Sequence, residues 1–388
     1  MMAGALLARA GVRVLVLEAH GDFLRDFRGD TVHPSTMQVI AELGWLDDFL
    51  ARPHQEVSRL RARIEDEELT LADFSGVPAV TPYVAFMPQW DFLDFVAGKA
   101  RAFPTFELWM NAKATGLVER SGRVVGVRGE REGRYFELEA DLVIAADGRR
   151  SILRDRAGLS VRDIGAPMDV LWFRVARRES DPSDTLGWVT RGRFLIFLQR
   201  GDYWQVGALV RKGGFGDIWA RGIDAFREGL VDAAPFLRDR VAQIRSFDDV
   251  KLLEVKVDRL ERWWRPGLLC IGDAAHAMSP IGGVGINLAI QDAVAAANRL
   301  AEPLRRHTLV DADLEDVQRR RELPTRITQA LQVLIQKRVI DRILGRPRPL
   351  RVGLALRAAG RSRILQRIPG RLIGIGIRPE HVAPPRAA

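Results

Sequence analysis

The sequence predicts an α/β fold: a Rossmann-like nucleotide-binding domain interleaved with a mixed β-sheet domain and followed by a helical C-terminal region. Three observations carry this. Residues 268–298, LLCIGDAAHAMSPIGGVGINLAIQDAVAAAN, read as buried strand, carboxylate, small-residue turn and helix. Residues 142–157 repeat that order, with Asp147-Gly148 closing an apolar strand and a helix starting at Ser151. Between them, residues 160–262 hold several strands rich in aromatics. No repeat or low-complexity linker separates these parts, so the domains are interleaved: 1–55, 80–158 and 262–300 for the nucleotide domain, 159–261 for the sheet domain, 301–388 for the C-terminal region.

The chain opens with a small apolar helix over residues 1–9, stopped by Gly11. Val12 and residues 14–17 then form a strand ending in Glu18. Helix, β-branched strand and acid make the second half of a dinucleotide-binding βαβ unit, in which the acid bonds ribose hydroxyls. Glu18 reads equally as that acid and as a surface carboxylate. No strand with G-x-G-x-x-G precedes Met1.

Pro34 starts a helix stopped by Gly44, and the His33 before it reads as a surface or capping group. Residues 57–79 read as a charged hairpin, 83 onward as a short strand, and Gln89 as the start of a helix. Strands follow over 106–111 and 114–119, with a hairpin over 122–138. In the sheet domain, strands fall at 168–177, 187–190, 193–199 and 203–211, a helix at 226–240 and a returning strand at 251–260. Trp172, Trp188, Trp204, Trp219 and Trp263 lie here or at its edge, as a pocket wall or as plain core. Beyond Ala301 the chain is helical over 314–323, 324–344 and 350–359.

In the 268–298 stretch, the turn with Pro280, Gly282, Gly283 and Gly285 lets a ligand approach backbone, and the helix start offers unpaired N–H groups. An anionic or hydroxyl-bearing ligand suits it, with Asp273 accepting from hydroxyls. His276 reads as structural. Cys270, the only cysteine, excludes an internal disulfide and a cysteine metal site, and reads as a buried inert thiol.

The net charge is +9, but residues 333–388 hold thirteen Lys and Arg against Asp341 and Glu380, a balance of +11 that leaves −2 elsewhere. The charge is therefore a property of the tail, not a nucleic-acid signature. ILQRIPGRLIGIGIRPEHV reads either as a solvated helix face with snorkelling arginines or as a surface lying on anionic membrane. A cytoplasmic location follows, with peripheral membrane contact as the variant.

Three blocks together resemble the aromatic-hydroxylase family of flavoprotein monooxygenases, the p-hydroxybenzoate hydroxylase type (class A). GDAAHAMSPIGGVGINLAIQDA resembles the family's second FAD motif, DLVIAADGRRSILR its Asp-Gly motif, and LARAGVRVLVLE the end of its first nucleotide unit. The resemblance implies FAD as cofactor and NADPH or NADH as co-substrate. It implies that Asp273 binds ribitol, that Pro280 lies at the reactive flavin edge, and that Gly272 and Gly282 belong to the cofactor-binding set. Gly285, Ile286 and Asn287 would face the pyrimidine end. Asp147, Gly148, Ser151 and Arg154 match the Asp-Gly motif, Glu18 inherits the ribose role, and Arg28 and Gln89 fall where members contact the flavin nucleotide. The implied reaction is hydroxylation of an aromatic or polyketide-like substrate through a flavin C4a-hydroperoxide with O2.

Members carry strand and G-x-G-x-x-G just before the residues matching Met1-Met2-Ala3, so the sequence reads as an N-terminally truncated form. The rivals are a reductase of isoprenoid-type double bonds and a cofactor-free, non-catalytic homologue. A halogenase is disfavoured because no Trp-x-Trp-x-Ile-Pro run occurs.

Overall fold

A computed structural model describes residues 1–24, 30–182, 186–344 and 349–383. Arg28 lies outside them.

The opening helix is Met2–Arg9, and the strand after it Val14–Leu17. Gly4 lets them touch: a Cβ there would stand 2.6 Å from Val16. Val14–Leu17 pairs in parallel with Phe106–Trp109, and Val143–Ala145 in parallel with Leu268–Cys270, in two separate sheets. One apolar core joins these strands to the helices Met2–Arg9, Pro34–Glu42, Gln89–Ala100 and Gly285–Arg305.

The second unit is a seven-stranded sheet in the order Lys251–Leu253, Met168–Ala176, Tyr203–Arg211, Arg193–Arg200, Leu186–Thr190, Arg59–Ile64, Glu67–Asp73. The hairpin of residues 57–79 thus belongs to this sheet, because Arg59–Ile64 pairs in parallel with Leu186–Thr190. Alternation along Met168–Ala176 feeds two cores: Leu171, Phe173 and Val175 face one side, Met168, Val170 and Trp172 the other. The tryptophans do not share a wall. Trp188 and Trp204 join Leu171, Trp263 lies in the nucleotide-domain core, Trp219 is exposed, and Trp172 alone of the five faces the other side.

Three local expectations are corrected. The helix expected over 226–240 runs Gly222–Ala233, because Ala234 precedes Pro235 and is driven out of helical geometry (φ −135°, ψ 84°). The strand expected over 251–260 splits into Lys251–Leu253 and Asp258–Leu260. Between them the Val255 backbone is captured by side chains, its N–H by Asp169 at 2.9 Å and its carbonyl by Lys212 at 2.8 Å. Pro324 does not divide its helix, which runs Asp311–Ile335 and continues as a π-helical turn over Gln336–Ile340.

The chain then forms helices Leu354–Arg361 and Arg363–Gly374, after which a tail returns over the nucleotide domain. There the His381 carbonyl accepts from Asn298 (2.8 Å), Val382 N–H donates to Glu42 (2.8 Å), Glu380 pairs with Arg320 (2.7 Å), and the Ala383 carbonyl lies 3.5 Å from Arg9.

Candidate flavin site

Two turns of like design meet side by side. After strand Leu268–Cys270 the chain turns at Gly272 (φ +58°), where a Cβ would stand 3.0 Å from the Ala289 side chain of the long helix. The carboxylate of Asp273, 31% exposed, accepts from Arg149 Nη2 at 3.1 Å. Arg149 belongs to the other turn, so one ion pair ties the two units. Arg154 is buried and braces both from behind, donating to the Ala274 carbonyl at 3.3 Å and the Arg149 carbonyl at 3.2 Å. Asp147 accepts from the Ser151 hydroxyl and, at 3.2 Å, from Leu153 N–H, while Ser151 caps the helix at Arg154 N–H. Gly148 (φ +85°) opens onto empty space.

The Pro280 loop is pinned from residues 31–36. Gly283 (φ +64°) lies so close to Thr31 that a Cβ would stand 2.4 Å from its hydroxyl, which donates to the Gly283 carbonyl at 2.9 Å. Helix Gly285–Arg305 begins just beyond. Its first helical bond runs from Leu288 N–H to the Val284 carbonyl (3.1 Å), which leaves the N–H groups of Gly285, Ile286 and Asn287 as the positive end of the helix. Asn287 is buried, and its carbonyl accepts from Thr36 at 2.5 Å. Gln89 starts its helix with its backbone N–H on the buried Asp30 carboxylate, which also holds Arg200 and Gln205 at 2.8 Å each. Burial outweighs these partners and pushes the Asp30 carboxyl above its ordinary value.

The structure thus brings Gln89, Gly148, Arg154, Gly272, Asp273, Pro280, Gly282, Gly285, Ile286 and Asn287 to loops that contact one another. Glu18 stands apart at its strand end, half-buried, accepting from His20 N–H at 3.0 Å. Cys270 is buried, and burial pushes its thiol up to about 12, which keeps it protonated.

His33 is not a surface group. It is 1% exposed, with Nε2 3.1 Å from the Gly283 carbonyl and Nδ1 2.9 Å from the Ile373 carbonyl. Burial lowers its pKa from 6.5 to about 4, against the two carbonyls, so the ring is neutral at pH 7 and its single N–H donates to only one of them. Because the folded pKa is depressed, this stability is present above the unfolded value of 6.5 and is lost as pH falls towards 4. A shift of this size corresponds to about 3 kcal/mol. Denaturant titrations at pH 7 and pH 4.5 are expected to show the acid loss reduced in His33→Gln; equal losses contradict the assignment.

Sequence reasoning missed Thr31, Thr36, Arg149 and Asp292. Only Asp292 carried a signal, a carboxylate on the buried stripe of an alanine-rich helix.

The donor set suits an FAD. A helix start with free N–H groups fits the electron-rich pyrimidine edge, and a part-exposed carboxylate fits hydroxyls of the ribitol chain. At Gly285 a Cβ would meet only Met278, at 3.8 Å, so the approach to the backbone is open.

Comparison with known proteins agrees. Residues 1–330 match the FAD binding domain family, and the chain belongs to it. It is an FAD-dependent monooxygenase by class, with NAD(P)H as the family's reductant. It is 34% identical over 352 residues to 6-methylpretetramide 4-monooxygenase of Streptomyces rimosus, covering 89% of this chain and 83% of that one. Among solved structures, PqsL of Pseudomonas aeruginosa in complex with 2-aminobenzoylacetate superposes with a TM-score of 0.75 at 22% identity (88% of this chain, 94% of that one). OxyS anhydrotetracycline hydroxylase of S. rimosus gives 0.71 at 21% (96% and 73%). These two likenesses show the fold.

Proposed function

We propose that this enzyme hydroxylates a ring-bearing, polyketide-like aromatic substrate held between the seven-stranded sheet and the Pro280 loop. The observation that carries this is a shared apolar cluster: Ile281 of the loop packs against the core that contains Trp172 and Leu198 of the sheet, and Phe194 of the sheet packs against the same core. An apolar wall facing the flavin loop suits a flat aromatic ligand and excludes water. The 6-methylpretetramide enzyme supports the substrate class.

When bound, the flavin supplies the redox chemistry with NAD(P)H and O2. This chain's residues position it. Asp273 would hold ribitol hydroxyls, with Arg149 fixing its carboxylate. Gly285, Ile286 and Asn287 N–H groups would stabilise negative charge at the pyrimidine end. Pro280, Gly282 and Gly283 set the loop beside the reactive edge, a positional role. Glu18 would take the ribose, Gln89 and Arg28 the nucleotide, and Asp147, Gly148 and Arg154 hold the second turn in place. Peripheral membrane contact through the basic C-terminal region belongs to the proposal as a separate surface. A flavin-dependent reductase of isoprenoid-type double bonds is the weaker reading, since no feature of the sheet wall favours it.

The test is mass spectrometry of products from the FAD-loaded enzyme with a panel of phenols and polyketide-like aromatics. A gain of one oxygen with NAD(P)H consumption is expected; NAD(P)H consumption with a gain of two hydrogens would sink the hydroxylase reading. Asp273→Ala is expected to weaken FAD binding about 10- to 100-fold, the worth of a hydrogen bond to a charged group. Flavin fluorescence titration reads this without turnover, and unchanged affinity would remove Asp273 from the site.

A further inference from the structure

The last long helices are built inside out. A surface helix normally turns its large apolar residues inward. In the second half of Asp311–Ile335 the inward face is polar. Gln329 donates to the Asp258 carbonyl at 2.7 Å, Gln332 to the Ile281 carbonyl at 2.8 Å, and Gln336, just beyond, to the Ser279 hydroxyl at 2.6 Å. Leu323, Ile327, Leu331 and Leu334 point outward at helical spacing.

Helix Arg363–Gly374 does the same. Its inward face is Gln366, Gly370 and Gly374, lying against the edge strand Glu67–Asp73 so closely that a Cβ on Gly370 would stand 2.1 Å from the Asp73 carbonyl. Outward stand Ile364, 76% exposed, Ile368, 57% exposed, and Leu372. Thr328 of the first helix and Leu372 of the second line one cleft, so the two helices adjoin there.

The segment that carries this face is strongly basic, and the acids beside it, Glu322 at Arg326 and Glu67 at Arg357, offset only part of its charge. Residues 323–378 contain thirteen Lys and Arg and a single acid, Asp341. Arg363 and Arg371 are exposed on the same helix as Ile364 and Ile368, and Lys337 and Arg338 extend the first stripe. No described helix is long and apolar enough to cross a membrane. A second copy of this chain docked here would set arginines against arginines across the interface. An anionic lipid surface complements both features at once, taking the isoleucines into the acyl boundary and the arginines at its phosphates.

We propose that this face docks the enzyme peripherally on an anionic phospholipid bilayer. The proposal stands independently of the substrate and reaction, because it involves neither the flavin loops nor the sheet wall.

The test uses the purified full chain with vesicles of phosphatidylcholine alone and of phosphatidylcholine mixed with phosphatidylglycerol. Sedimentation is expected with the mixed vesicles at low salt, little with the neutral ones, and release as salt rises. The Ile364→Glu, Ile368→Glu double variant is expected to lose at least about tenfold in apparent affinity. Both positions are exposed, so its thermal unfolding and flavin content should match the parent, and Arg363→Gln, Arg371→Gln should weaken binding without altering either. No sedimentation with anionic vesicles overturns the proposal, as does binding indifferent to the isoleucine variant. Light scattering that shows a parent dimer becoming monomeric in that variant, with no lipid binding by either, assigns the face to self-association and also overturns it.

Discussion

Replacing Asp292 by alanine is expected to lower stability by about 3–5 kcal/mol, the cost of removing one partner from a buried charged cluster. Asp292 is fully buried. One oxygen accepts from Arg321 Nε at 3.0 Å, the other from Gly272 N–H at 3.0 Å and His276 Nε2 at 2.6 Å. Arg321, itself 1% exposed, keeps only Glu380 (3.3 Å) among the described residues as a counter-charge once Asp292 is gone. Burial pushes the Asp292 carboxyl upward, but His276, Arg321 and the Gly272 N–H together outweigh it and hold it below its ordinary value. A depressed carboxylate contributes stability above the unfolded value of 3.8 that is lost as pH falls through the folded one. The deficit of the alanine variant should therefore be full at neutral pH and shrink in strong acid. Urea unfolding at pH 7 reads it, and a deficit under about 1 kcal/mol would show that Arg321 and His276 find other partners. Because Gly272 loses the acceptor for its N–H, flavin affinity should fall as well.

Gly283→Val should damage the flavin loop more than the fold. Its Cβ would stand 2.4 Å from the Thr31 hydroxyl, and the φ of +64° is one that β-branched residues rarely adopt. Strain and overlap together cost about 2–3 kcal/mol. The loop relieves them by moving away from Thr31, which shifts Pro280 and the start of helix Gly285–Arg305. We expect FAD affinity to drop about tenfold or more, as misplacement of positioning groups does. A Thr31→Ala partner removes the hydroxyl overlap but not the backbone strain, so the double variant should recover part of the loss. Fluorescence titration of the four proteins of this cycle measures the coupling. Additive effects would mean that the loop is not seated on Thr31.

The features legible in the sequence were those encoded within about twenty consecutive residues. Leu268–Cys270, Gly272-Asp273 and the helix from Gly285 are neighbours in sequence as well as in space, and so are Asp147, Gly148 and Ser151. What stayed hidden depends on distant pairs. His33 reads as a surface residue until Gly283 and Ile373 close over it, and Asp292 finds Arg321 only when two helices pack. The divided strand near Val255 had the composition of one strand, and only Asp169 and Lys212 reveal why its backbone leaves the sheet. The interleaving of apolar residues with arginines over residues 364–382 reads as a helix face. It gave no direction, because an apolar stripe looks the same whether it meets a core or solvent. Glycines and glutamines on the opposite side decide that direction, and their role is visible only beside Asp73, Ser279 and Ile281.

The tail over residues 376–383 has a consequence for how the molecule is born. Its partners Arg9, Glu42 and Asn298 leave the ribosome before it does, yet His381, Val382 and Ala383 are what fasten them. The contacts to Arg9 and Glu42 span 374 and 339 residues, so closure of the nucleotide domain waits for a segment made that much later. During synthesis the nucleotide domain therefore stands unlatched, and a nascent chain stalled before residue 376 should be open to protease where the released protein is shut.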